Sequence, residues 1–262
     1  MISIQTVPPE VDCFRPREIY FHFMGQTFSR VGELSEKFMF DSLELSNIPE
    51  KQCAILRRHS STRPKICVVE ENGVRAVVKD FSTGRFIFRN TVGRFLVWRE
   101  AKAYKRLENI RGIPALYRVI DGLAIVIEEI PSTNLEDLET EKKLPDKFFD
   151  DLRDLVDRCH ERGMAHCDLK RAPNTLLGHD GLPYVIDWGA SISEREFRLF
   201  PLSHVYRRFL LDDYMAIIKL KLRHVPGAVT REERKRYNYR SSAEKFIRAI
   251  RDRLREILQK VA

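Results

Sequence analysis

The chain has 262 residues, 43% hydrophobic and 32% charged, a balance that suits one large domain or two lobes with their own cores. No run of about 18 apolar residues occurs, which argues against a transmembrane helix. The opening MISIQTVPPEVDCFRPRE lacks the basic region and apolar core of a secretory signal. Net charge is +8, and residues 231–262 hold 11 Lys/Arg against 5 Asp/Glu, so most of the excess lies there. Such a segment attracts phosphate-rich partners (nucleotide, nucleic acid, anionic lipid, phosphorylated sugar), although a solvated helix face is the simpler reading. The five cysteines show no C-x-x-C spacing, so reduced thiols fit better than a disulfide framework or zinc site.

Residues 1–50 are mixed, with an aromatic cluster at Tyr20, Phe21, Phe23 and Phe28, and read as an N-terminal extension without an assigned role. From residue 51 the pattern turns to strands. CAILRR, KICVVEE and VRAVVKDF are short and rich in Ile and Val, and Asn72-Gly73 separates the last two, as in an antiparallel meander. In RFLVWREAKAYKRLENI, the residues Phe95, Leu96, Trp98, Ala101, Tyr104 and Leu107 recur near helical spacing, and Arg111-Gly112-Ile113-Pro114 ends that helix. ALYRVID and LAIVIEEI are two more strands, joined at Asp121-Gly122. After Pro131 helices dominate. Phe148, Leu152, Leu155, Val156 and Cys159 form an apolar stripe in a helix that Gly163 terminates. Two short strands follow, then helices near 205–222 and 242–261. Strands first and helices second predict an α+β protein of two lobes, 51–130 and 131–262, with a ligand cleft between them.

Five residues carry chemistry. Lys79 ends the third strand in VVKDF, and Glu100 lies on the helix after it. Asp168 and Asn174 lie in HCDLKRAPNTLL, and Asp187 lies in YVIDWGAS. TLL and GLPYVI pair through His179-Asp180-Gly181, which would bring Asp168, Asn174 and Asp187 to one end of a small sheet. Two carboxylates and an amide oxygen are hard ligands suited to Mg²⁺. A divalent ion beside a free carboxylate suits phosphoryl transfer to a hydroxyl, because the metal neutralises phosphates while the carboxylate takes the acceptor's proton. A strand lysine gripped by a helix glutamate holds nucleotide phosphates as a fixed charge. Taken singly, each would be an ordinary surface or strand-end charge; order, spacing and element type carry the reading together. His166 reads as a brace for its loop, and Cys167 as a small neutral filler.

V-x-K, H-x-D-L-K and D-x-G, in that order over residues 52–222, resemble the protein-kinase superfamily. The resemblance implies a two-lobed protein-kinase-like fold, its N-lobe an antiparallel sheet plus one helix, its C-lobe mainly helical. It implies ATP and Mg²⁺ as cofactors, Lys79 on the α- and β-phosphates, and Glu100 as its partner. It implies Asp168 as catalytic base, Lys170 steadying the transferring phosphate, and Asn174 and Asp187 on Mg²⁺. Glu128-Glu129-Ile130 would be the hinge, so Glu128 and Ile130 are candidate adenine-binding positions. The pattern also departs from the family. Asn174 is six residues after Asp168 instead of five, and no A-P-E follows Asp187. Between the first two strands stands Arg58-His59-Ser60-Ser61-Thr62-Arg63-Pro64 in place of a glycine-rich loop, leaving hydroxyls and Arg63 as phosphate contacts.

Within the superfamily the chain looks most similar to compact bacterial kinases. LLDDYMAIIKLKLRHVP after D-W-G is similar to lipopolysaccharide core (Kdo/heptose) kinases, and RIO-type atypical protein kinases are the second group. The Trp of I-D-W is similar to aminoglycoside and choline phosphotransferases. The first reading is transfer of the ATP γ-phosphate to a sugar hydroxyl of a lipopolysaccharide-type glycolipid. The alternatives are a RIO-like protein serine/threonine kinase and a non-catalytic pseudokinase binding module, which the missing glycines favour and the intact Lys79, Asp168 and Asp187 oppose. The C-terminal helix sets Ala243, Phe246, Ile247, Ile250, Leu254, Ile257, Leu258 and Val261 on one face. It would pack as the last helix of the second lobe or rest on an anionic membrane surface. A cytoplasmic protein is expected, peripheral at the inner membrane in the second case; nucleic acid is not a favoured partner.

Overall fold

The structure, a computed structural model, describes residues 40–60, 63–138, 144–200 and 202–238. The N-terminal aromatic cluster and the C-terminal basic helix lie outside the described residues.

Five strands build the first sheet: β1 (Gln52–Arg57), β2 (Lys65–Glu71), β3 (Val74–Asp80), β4 (Leu116–Ile120) and β5 (Ala124–Glu128), in the order β1-β2-β3-β5-β4. All neighbours are antiparallel. Asn72 and Gly73 have φ of 53° and 78°, the two left-handed positions a two-residue hairpin needs between β2 and β3. Alternation along the strands serves two cores. Ala76, Val78, Ala124 and Val126 pack on one face with Phe40, Leu43 and Ile48, so the first lobe's core reaches back before residue 50. Val77, Ile125 and Ile127 face the other way, into the core of the second lobe.

Helix α1 (Arg94–Arg106) follows a π-type turn at Arg89–Gly93 and buries Val97, Glu100, Ala101, Ala103 and Tyr104. Phe95 and Trp98, expected on the apolar stripe, are 50% and 53% exposed. The buried face is centred on Glu100, and that rotation turns both rings outward.

The second lobe contains β6 (Ser132–Asn134), α2 (Phe148–Glu161), β7 (Met164–Ala165), β8 (Thr175–Gly178), β9 (Pro183–Val185), β10 (Ile192–Ser193), α3 (Leu202–His224) and α4 (Arg231–Asn238). The predicted stripe of α2 is buried throughout, against Leu169, Val185, Trp188, Ile217 and Leu220. The predicted hairpin is β8 with β9, registering Thr175 opposite Val185; β6 adds a third strand on the far side of β8. That strand and the β7–β10 pair were not legible from pattern, because two or three residues carry no periodicity, and α4 was not because its eight residues bury no side chain and show no apolar stripe. Tyr104, Ile125 and Ile127 share one apolar cluster with Phe148 and Trp188, so packing fixes the two lobes against each other around the cleft.

Candidate active site

Lys79, penultimate in β3, is 6% exposed and Glu100 is 3% exposed. Lys79 Nζ donates to Glu100 Oε1 at 2.5 Å and to Asp187 Oδ1 at 2.8 Å. Asp187 has φ 67°, a left-handed conformation rare outside glycine, at the mouth of the turn Trp188–Ala190. Burial alone would lower the Lys79 pKa, but Glu100 and Asp187 outweigh it and hold the ammonium above its ordinary range. Burial pushes Glu100 up against the pull of Lys79. The Lys79 ammonium keeps Asp187 below the ordinary carboxylate value despite burial. Asp187 therefore stays ionised, with its side chain 41% exposed toward the cleft.

The loop after β7 is tied to the segment before Asp187. His166 is buried; its Nε2 donates to the Ile186 carbonyl at 2.9 Å, which leaves Nδ1 to accept the Asp168 N–H at 3.2 Å. Its ring meets Trp188 edge-on, centroids 4.7 Å apart. The bracing role read from the sequence is what these bonds do. Asn174 Nδ2 donates to the Asp168 carbonyl at 3.0 Å, and the Ile186 N–H donates to the Asn174 carbonyl at 3.0 Å. Asp168, Asn174 and Asp187 thus converge at the open end of the β8–β9 hairpin, as its turn chemistry predicts.

Among the described residues no cluster of three or more His, Cys, Asp or Glu is set to hold a metal. One amide and one carboxylate are nonetheless a fitting pair for Mg²⁺, which keeps several waters and takes phosphate oxygens as its remaining ligands. With its nitrogen end engaged by Asp168, the Asn174 amide has its oxygen to offer.

Two residues belong to the site that pattern reading missed. Asp213 on α3 is 1% exposed. It accepts the backbone N–H of His166 at 2.7 Å, that of Cys167 at 2.9 Å and His160 Nε2 at 3.0 Å. The signal was present: Asp213 interrupts an otherwise apolar stripe of Tyr206, Phe209, Ile217 and Leu220. The second is Arg57, opposite Ile66 in the β1–β2 ladder, which is in turn opposite Lys79. Burial lowers its pKa, while Asp187 and Glu100 attract its guanidinium and Arg63 and Arg171 repel it.

No protein-family model matches the sequence. The chain is similar to the EKC/KEOPS complex subunit BUD32 of Encephalitozoon cuniculi (strain GB-M1), 37% identical over 100 residues. Those residues are 37% of this chain and 48% of the other, so the chain spans about half the length of the curated relative it matches. The structure superposes on the Rio2 kinase–ADP/Mg²⁺–phosphoaspartate complex from Chaetomium thermophilum with a TM-score of 0.52 and 18% identity, covering 78% of this chain and 68% of that one. The fold is that of the protein-kinase-like superfamily.

Within this kinase-like fold the remaining predicted positions stand as follows. Lys170 is exposed beside Asp168. Asp168 Oδ2 lies 3.5 Å from Arg171 Nη1. Glu128 ends β5 at the passage between lobes; its N–H donates to the Ala115 carbonyl at 2.9 Å and its Oε2 accepts the Ala115 N–H at 3.0 Å. Ile130 directs its carbonyl to the Ser132 hydroxyl at 2.8 Å. Between them Glu129 makes a two-bond pair with Arg75, at 2.5 and 2.9 Å. Cys53, Cys67, Cys159 and Cys167 are free thiols, and burial pushes Cys167 far up, which suits filler and not a nucleophile. No helix among the described residues is long and apolar enough to cross a membrane.

Proposed function

We propose that the protein is an ATP-dependent phosphotransferase of RIO-like type that passes the γ-phosphate of MgATP to a serine or threonine hydroxyl of a protein. The observation that carries this reading is Lys79, from the first lobe, bonded at once to Glu100 and to Asp187 of the second. Neither BUD32 nor Rio2 supports the glycolipid-sugar acceptor expected from the sequence, and the RIO-like alternative is the better supported. The structural neighbour's complex with ADP and Mg²⁺ supports nucleotide and metal as ligands of the same cleft.

In this reading Lys79 grips the α- and β-phosphates, held in place by Glu100. Asp187 and Asn174 hold Mg²⁺, which neutralises phosphate charge when bound. Asp168 orients the acceptor hydroxyl and takes its proton as oxygen bonds to the γ-phosphorus and the bond to ADP breaks. Lys170 meets the transferring phosphate, and the backbone at Glu128 and Ile130 meets adenine. His166, Asn174 and Asp213 keep the Asp168 loop in register with Asp187.

Radiolabelled ATP offered with protein and glycolipid fractions tests the reading. Label in protein, reduced at least about 100-fold by Asp168→Asn, is expected. Label confined to glycolipid would reject the acceptor class. A non-catalytic binding module would transfer no label yet show stabilisation by nucleotide, about 2.7 kcal/mol at 100 times Kd.

A further inference from the structure

We propose that Arg57, Arg63 and Arg171 form a guanidinium clamp for the outer phosphates of the nucleotide, in place of the backbone cradle that a glycine-rich loop provides. The inference deepens the MgATP reading and rests on it for the identity of the ligand.

The first support is register. Ile55 stands opposite Cys67, and Arg57 stands opposite Ile66, with a bulge between. In a regular ladder Leu56 would face Ile66, and Arg57 would share the face of Cys67, which points into the first lobe's core. The one-residue slip exchanges them. Arg57 then shares a row with Ile66 and Lys79, and residues in one cross-strand row project from the same face. With strands about 4.8 Å apart, Arg57 roots about 10 Å from Lys79 on the cleft side, within reach of a triphosphate that Lys79 holds.

The second support is the loop itself. Ser60 and Arg63 close on each other by backbone bonds of 3.1 and 3.4 Å, three residues beyond the end of β1. No described residue of this loop has a positive φ, and Pro64 offers no N–H. A nest of amides needs left-handed backbone, so the described residues of this loop do not supply one. What they offer a phosphate is side chains.

The third support is convergence of charge from both lobes. Arg171 comes from the Asp168 loop, its side chain 58% exposed. Arg171 Nη1 lies 3.5 Å from Asp168 Oδ2, so a cation of the second lobe stands at the candidate base while Arg57 shares a strand row with Lys79 in the first, and Asp187 attracts the Arg57 guanidinium. Gathering three guanidiniums costs energy that a polyanion recovers, and the planar fork of arginine matches phosphate oxygens two at a time.

Calorimetric titration of the full chain with MgATP, adenosine and inorganic tripolyphosphate tests the clamp. For Arg57→Ala and Arg63→Ala we expect MgATP and tripolyphosphate to weaken at least about ten-fold each, with adenosine unchanged and Arg57→Lys intermediate. Parent-like MgATP affinity in both alanine variants would overturn the clamp and leave the kinase reading intact. Equal weakening toward adenosine and MgATP would also overturn it, by showing a general distortion of the cleft. A parent that binds tripolyphosphate through these arginines but prefers it to MgATP would uphold the clamp and reject the kinase reading. A parent that binds neither would reject both.

Discussion

Asp213 accepts the backbone N–H of His166 at 2.7 Å, across 47 residues of chain. Its other oxygen takes the next N–H, that of Cys167, at 2.9 Å. Two successive donors pointing at one buried carboxylate set the path of the chain just before Asp168, and Cys167 adopts φ 68° to make that path. A long helix of the second lobe thus positions the candidate base without touching it.

Replacing this acceptor by an amide tests the claim. In Asp213→Asn one oxygen becomes an NH₂ that faces a donor, leaving buried groups unpaired at a cost of about 1–3 kcal/mol. Denaturant midpoints should fall accordingly. Turnover should fall more than the ATP KM rises, since Asp168 would be misplaced while Lys79 still meets the nucleotide. A parent-like kcat would show that the anchor serves the fold alone.

Lys79 is the cation between two carboxylates, its side chain as buried as that of Glu100. Lys79→Met leaves both acids facing each other, and breaking a buried pair from one side costs about 3–5 kcal/mol. Turnover should drop about 100-fold or more, because the phosphate contact is lost too. Pairing the change with Glu100→Leu should return much of the stability and none of the turnover. Recovery of activity in the double variant would mean that Lys79 is structural.

What the sequence reveals and conceals follows from how local each constraint is. The placement of Lys79, Asp168 and Asp187 was legible because strand ends, a short loop and hairpin turns fix them within a few residues of a recognisable signal. The stripe of α2 was legible because a whole face is apolar. The orientation of α1 was not, since its buried face is chosen by a charged residue, Glu100, and hydrophobicity alone points to Phe95 and Trp98. Arg57 was hidden by the bulge, which changes its face without any mark in the sequence. Asp213 was half hidden, because an acid on an apolar stripe signals a buried partner but does not say which.

The pH dependence of stability carries a sign that separates the two acids. Asp187 titrates below its ordinary 3.8, so its contribution is present above that value and is lost as pH falls through the folded one. Glu100 titrates above its ordinary 4.5, so its contribution is present below that value and is lost as pH rises through the folded one. Denaturation midpoints followed from neutral pH down through 3.8 and below it should show a loss at the acid end that Asp187→Asn lacks. Glu100→Gln should flatten the upper arm and leave the acid end alone. Partial exposure of Asp187 makes its arm the smaller. Superimposable profiles for parent and Asp187→Asn would remove the Lys79 pairing as the cause.

Gly112 joins the two lobes in a way that links stability to the site. It has φ +99°, and a Cβ there would lie 2.7 Å from Leu155 Cδ2 and 2.9 Å from the Pro183 carbonyl. Its own carbonyl accepts the Val185 N–H at 2.9 Å, two residues before Asp187. Gly112→Ala therefore suffers backbone strain of about 1–2 kcal/mol and overpacking of about 1–3 kcal/mol together. Gly73→Ala is the matched control, because Gly73 has φ +78° with nothing near its missing Cβ, so strain acts there by itself. The first substitution should lower the denaturant midpoint more than the second. It should also raise the Mg²⁺ concentration needed for activity, since β9 must shift to admit the methyl group and Asp187 moves with it. Equal midpoints would show that Leu155 and Pro183 give way freely. An unchanged Mg²⁺ requirement would show that the strain stops short of the cleft.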